Sequence, residues 1–184
     1  MGNPLSVDAD RRARFEAVFD AAYVPVQRYV RRRGGGDETD DVVAETFIIV
    51  WRRLGDVPVD AVVPWCLGVA RRCLANQKRS TKRRARLWNR AAAQPLLFDE
   101  ESADPALTEA LAQLNEEQRE LLRLSAWEGL GAGEIATVLG ITPNAASIRL
   151  HRARRELADL LGAGKKADGA GHSSVEEPAR KEER

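Results

Sequence analysis

A chain of 184 residues is long enough for one ordinary domain or two small ones, and 43% hydrophobic content with 5% aromatic content builds an aliphatic, alanine-rich core. The formal charge of +1 conceals a sorting of basic and acidic residues into separate blocks, which implies charged partners. No apolar run approaches the roughly 18 residues of a membrane span, and the first residues lack the pattern of a secretory signal, so a cytoplasmic protein without membrane insertion is expected.

Helical periodicity dominates and strand-type alternation is hard to find, so the expected fold class is all-α. Residues 1–10 carry no pattern and are expected to be unstructured. From Arg11 onward, Phe15, Val18, Phe19, Ala22, Tyr23, Val26, Tyr29 and Val30 fall on one helical face. Pro25 lies within this run and should kink or divide the helix, because it removes an amide donor. Gly34-Gly35-Gly36 then ends it.

Asp37 is placed to cap the next helix, with Glu38, Asp40, Asp41 and Glu45 crowded toward its start, where the helix dipole favours acids. Val43, Phe47, Val50, Trp51 and Leu54 form its expected buried stripe. Gly55-Asp56-Val57-Pro58 breaks it. A third helix is expected from about Pro64 to beyond Arg86. Cys66, Val69, Ala70 and Cys73 align on its inward face, which makes both cysteines small core residues rather than redox or metal groups. The acidic cluster lies on one helix start, whereas a metal-dependent nuclease needs carboxylates converging from several elements. No metal and no cofactor are expected.

The same third helix carries Arg71, Arg72, Lys78, Arg79, Lys82, Arg83, Arg84, Arg86 and, just beyond, Arg90, with no acid among them. A helix that merely faces solvent mixes signs to gain i,i+4 pairs. A single-sign run repels itself unless a polyanion neutralises it. Asn76 and Gln77 lie among these cations and could hydrogen-bond bases.

Residues 93–105 are acidic, proline-containing and aperiodic, and read as a flexible linker. A second helical set is expected over 106–162. Asn115 should cap Glu116 to Glu128, with Gln118 completing a capping box and Gly129 stopping the helix. Gly133 to Leu139, the turn Gly140-Ile141-Thr142 and a helix from Pro143 to about Leu161 have the form of a helix-turn-helix. Ala146, Leu150, Ala153 and Leu157 should face the core. Asn144, Ser147, Ile148, His151, Arg152 and Arg155 are then outward, with Arg149 and Arg154 on the flanks. Residues 163–184 lack apolar periodicity and are expected to be disordered.

The order of these parts resembles the extracytoplasmic-function (ECF) class of RNA polymerase sigma factors. The family's acidic helix, D-x-x-D-x-x-x-E-T-F-x-x-x-W, is matched by Asp37, Asp40, Glu45, Thr46, Phe47 and Trp51, with the acids slightly shifted. Its W-L-x-x-V-A-R motif appears as Trp65, Cys66, Val69, Ala70 and Arg71. Its fourth region is matched by Leu114 through Glu128 and by the helix-turn-helix, including Arg149-Leu150-His151-Arg152-Ala153-Arg154. Ser147, Ile148, Arg72 and Gly131 depart from the residues common in relatives. The last of these suggests a looser start to the motif's first helix.

The resemblance implies a sigma factor, not an enzyme, with a region-2-like domain over 11–92 and a region-4-like domain over 106–162. Asp37, Asp40, Asp41 and Glu45 would dock on the polymerase clamp. Arg71, Arg72, Asn76, Lys78, Arg79, Lys82 and Arg83 would serve the melted minus-ten element. The outward and flanking residues of the last helix would read the minus-thirty-five element as duplex. RNA polymerase core, through its beta-prime clamp and beta flap, promoter DNA and an anti-sigma factor are the implied partners. A stand-alone regulator using the same helix-turn-helix is the rival reading. It leaves the cationic helix of the first domain without a purpose.

Overall fold

A computed structural model describes residues 4–34, 39–87 and 104–169. Among these residues there are seven α-helices and no strand: α1 Pro4–Gly34, α2 Thr39–Arg52, α3 Val62–Leu87, α4 Pro105–Gln113, α5 Glu116–Ala126, α6 Ala132–Leu139 and α7 Pro143–Gly169. A 3-10 turn, Leu54–Asp56, follows α2. The fold class is all-α, in two helical sets, α1–α3 and α4–α7.

The first set is built where helical periodicity puts it. Val18, Ala22, Val26, Tyr29 and Val30 of α1 are buried against Val43, Phe47 and Val50 of α2 and Cys66, Val69, Ala70 and Cys73 of α3. An aromatic seam joins α1 to α2, with Phe19 4.7 Å from Phe47 and stacked on Tyr23 at 5.0 Å. Thr46, fully buried, satisfies its hydroxyl by donating to the Val42 carbonyl at 2.7 Å. Burial pushes the Cys66 thiol up to about 12 and raises Cys73 as well, so both sulfurs are inert core groups at neutral pH.

In the second set most end signals act as written, but α5 ends at Ala126, short of the expected Glu128 and Gly129. Asn115 and Gln118 exchange reciprocal hydrogen bonds of 2.9 Å at the start of α5. Arg119 closes the end of α4, donating to the Leu114 carbonyl at 2.8 Å and to Leu111 and Ala112 at 3.3 Å. Gly140, at φ +69°, makes the turn between α6 and α7, where a side chain would be strained. Thr142 then caps α7 by accepting from the Ala145 amide at 3.2 Å.

Several expectations are corrected. Residues 4–10 are helical, because Pro4 suits a first turn and a packed helix extends cheaply at its ends. Pro25 does not divide α1: the carbonyl it leaves unpaired belongs to the exposed Ala21, where water can serve it. Trp51 is 38% exposed rather than in the stripe. It lies at the rim of the core with its ring edge-on to Phe15 and beneath Arg11. Asp104 and Pro105 begin α4 rather than ending a linker, with the Asp104 carboxylate accepting from the Ala106 amide at 3.0 Å. At the other end, α7 continues eight residues past Leu161 to Gly169, since propagating an existing helix costs far less than nucleating one. Residues 88–103 and 170–184, which include most of the expected linker and tail, lie outside the described residues.

The two sets pack on each other, which no sequence pattern announced. Helix α3 crosses α6 so closely that a Cβ on Gly68 would sit 3.2 Å from the Val138 carbonyl oxygen. Most of the buried apolar residues of both sets form one contiguous core, with Ala110, Leu114 and Ala153 outside it.

Candidate nucleic-acid interface

The helix-turn-helix presents its last helix as its spacing requires. Ala146, Leu150 and Ala153 of α7 are buried and Leu157, expected in the core with them, is only half-buried, while Asn144, Ser147, Ile148, His151, Arg152 and Arg155 are exposed. Gly131, which lacks a capping side chain, is compensated: the Glu134 carboxylate accepts from its amide at 2.8 Å. The start of α6 is therefore not loose. Arg149 and Arg154 are exposed but tethered to α5, Arg149 by an ion pair with Glu117 and Arg154 by a 2.7 Å bond to the Ser125 hydroxyl. Both bonds hold the guanidinium groups beside the outward row.

Helix α3 supplies the second cationic face. Arg71, Arg72, Asn76, Lys78, Arg79 and Arg83 are all exposed on it, and Arg79 donates to the Asn76 side-chain carbonyl. Lys82 lies on the same helix, but its side chain is outside the described residues, as are those of Arg84 and Arg86 and the whole of Arg90. Removing two of these cations, Lys78→Ala with Arg79→Ala, is expected to reduce the salt slope of DNA binding by about 2. Titrations over a salt series on several promoter sequences measure it, and a loss confined to some sequences would make these residues base readers instead.

The acidic start of α2 is also open to solvent. Asp40, Asp41 and Glu45 are exposed, and Asp37 lies outside the described residues. Ile48, half-exposed, continues the line of Asp41 and Glu45 along the helix at i, i+4 and i+7. In the sequence its apolar neighbour Ile49 masks the period.

A cleft of about 850 Å3 brings the two candidate DNA sets together. Arg71, Arg72, Asn76, Lys78 and Arg79 line one wall, and Glu116, Glu117 and Arg149 line another. At its base is a buried charge network that the sequence reading missed. Arg33 is only 6% exposed and donates from Nε to Glu120 at 3.0 Å and from Nη1 to Glu128 at 2.8 Å. Tyr29 donates its hydroxyl to Glu120 at 3.0 Å, and Arg33 stacks on the Tyr29 ring at 3.8 Å. Arg32 reaches the Trp127 carbonyl at 3.1 Å. Burial alone would lower the Arg33 pKa, but Glu120, Tyr29 and Glu128 hold it above the ordinary arginine value. Burial, reinforced by the Glu120 carboxylate, raises the Tyr29 phenol well above its usual range, so it stays a donor. One signal was present in the sequence: Glu120 stands four residues before the buried Leu124, on the apolar face of an otherwise amphipathic helix.

Residues 105–157 match the family model for sigma-70, region 4. RNA polymerase sigma factor CarQ of Myxococcus xanthus is 33% identical over 159 residues, covering 80% of this chain and 89% of that protein. The chain belongs to the ECF class of RNA polymerase sigma factors. The ECF RNA polymerase sigma factor SigL of Mycobacterium tuberculosis is similar at 30% identity over 163 residues, covering 81% of this chain and 89% of SigL. The fold is similar to that of the sigma factor RpoE in its complex with the anti-sigma factor NepR from Bartonella quintana, at TM-score 0.57 and 20% identity over 80% of this chain and 96% of that one. The sigma factor directs RNA polymerase to promoters for transcription initiation. Among the described residues, no helix is long and apolar enough to cross a membrane.

Proposed function

We propose that the two helical sets of this sigma factor divide promoter recognition between them. The region-2-like set, residues 11–92, docks on the beta-prime clamp through Asp37, Asp40, Asp41 and Glu45 and holds the melted minus-ten element on the cationic face of α3. The region-4-like set, residues 106–162, meets the beta flap and reads the minus-thirty-five element in the major groove through α7. The observation that carries this reading is the presence of two separate exposed cationic helix faces, one in each set. A regulator with a single DNA-reading helix accounts for one of them only. The protein has no catalytic role of its own, acts in the cytoplasm on the nucleoid, and is held inactive by an anti-sigma factor, a partner class represented in the complex of the Bartonella relative.

Runoff transcription with added core polymerase tests the assignment. Wild type should support promoter-dependent transcripts. Asp40→Lys with Asp41→Lys should weaken core binding by at least tenfold, because opposing like charges costs more than losing an attraction. The helical signal should be unchanged, since both residues are exposed. Unaltered affinity for core in a competition assay would remove the docking role from α2.

A further inference from the structure

We propose that Ile148 selects a thymine in the duplex upstream element by covering its C5-methyl group. This inference rests on the assignment of α7 to that element in the major groove, and it names what one position of α7 reads there.

Three observations carry it. Ile148 is 44% exposed, the one large apolar side chain that α7 leaves exposed among its described residues. It belongs neither to the buried core nor to the partly buried side chains packed against that core, so packing within the chain does not account for it. Second, its neighbours on the helix surface, three and four residues away, are Asn144, Ala145, His151 and Arg152, and only the small Ala145 is not exposed. Ile148 is thus an apolar point inside the polar outward face. Third, the flanking cations are drawn aside: Arg149 is paired with Glu117 and Arg154 is bonded to Ser125, both on α5.

An isoleucine has no donor or acceptor, so it distinguishes base edges only by covering apolar surface. In the major groove the thymine methyl is the apolar group that a base pair presents. Against cytosine the same side chain would cover the N4 amino group and leave that donor without a partner, which is costly. The β-branch holds the side chain to one preferred rotamer in a helix, so little freedom is lost on contact. The polar neighbours then supply hydrogen bonds, while Ile148 supplies the choice of T·A over C·G.

The test changes the DNA one methyl group at a time. Holoenzyme reconstituted from core polymerase and the full chain is bound to promoter duplexes in which each thymine of the upstream element, on either strand, is replaced in turn by deoxyuridine. Deoxyuridine lacks only the C5-methyl group. One thymine should respond with a loss of affinity of about fourfold, the worth of one buried methyl group. Cytosine at that position should cost more, and 5-methylcytosine should recover part of that loss. With Ile148→Ala, thymine and deoxyuridine there should bind alike, and the variant stays folded because Ile148 lies outside the core. A deoxyuridine series without effect on wild type, or an effect that Ile148→Ala retains, would overturn the proposal. Either result leaves the assignment of α7 standing where the wild-type holoenzyme still prefers the upstream element to a scrambled one. Indifference of the wild-type holoenzyme to scrambling would remove that assignment and the proposal together.

Discussion

Replacing Ile135 with alanine is expected to destabilise the helix-turn-helix severely, whereas replacing Ile148 with alanine should leave its stability almost unchanged. Ile135 is completely buried in α6, within the core that also receives Ala146 and Leu150 of α7. Truncating such a side chain loses its transfer free energy and leaves a cavity, together costing about 2–5 kcal/mol. For a small helical domain each kcal/mol lowers the melting temperature by about 4–8 °C, so a fall of roughly 10 °C or more is expected. Ile148 is 44% exposed on the outward face of α7, where substitutions usually change stability by less than about 0.5 kcal/mol. Thermal melts followed by circular dichroism separate the two. Equal losses would mean that Ile148 packs rather than faces DNA. The comparison matters because the two isoleucines are chemically identical and lie on adjacent helices of one motif. Only their direction differs.

Arg152→Ala is expected to flatten sequence preference at one position of the upstream element and to weaken binding there. Arg152 is exposed on the turn of α7 after Ser147 and Ile148, away from the buried line of Ala146, Leu150 and Ala153. A guanidinium in that place can donate two parallel hydrogen bonds to guanine O6 and N7, which discriminates that base by about 1–3 kcal/mol. His151 stands beside it and can meet a neighbouring base or a phosphate. Arg154 is different: its bond to Ser125 fixes it on the α5 side of the motif, suited to a phosphate at the groove wall. Arg154→Ala should therefore reduce affinity for all sequences alike. A binding screen over a randomised upstream element, run with wild type and both variants, distinguishes these roles. An unchanged sequence logo for Arg152→Ala would transfer the readout to Ser147, Asn144 or DNA shape.

Much of this architecture is legible in the chain because it depends on near neighbours. The capping pair Asn115 and Gln118, the positive-φ turn at Gly140 and the Thr142 cap are each decided within a few residues. The inward positions of Cys66 and Cys73, and the outward row of α7, follow from the helical period alone. Helix ends were less legible. Extension of α1 back to Pro4 and of α7 on to Gly169 depends on propagation from a packed centre, which leaves no periodic mark. Trp51 fell at the edge of the α2 stripe, and only the position of Phe15 and Arg11 on a neighbouring helix settles that it lies at the rim.

The sequence by itself determined which helices form, where the helix-turn-helix turns, most of the residues that face inward, and that two cationic faces would exist. These are one-dimensional properties: a period, a cap or a charge run is complete within its own segment. Only the tertiary structure decided what those faces meet. Arg33 reads as one more cation in a basic helix end, and Glu120 and Glu128 as ordinary acids of an amphipathic helix, until folding carries them 87 and 95 residues to each other. Gly68 likewise reads as a weakness in α3 until α6 is laid against it. An ion pair or a close backbone approach between distant segments has no local period, because its energy exists only once both partners are positioned and dehydrated together.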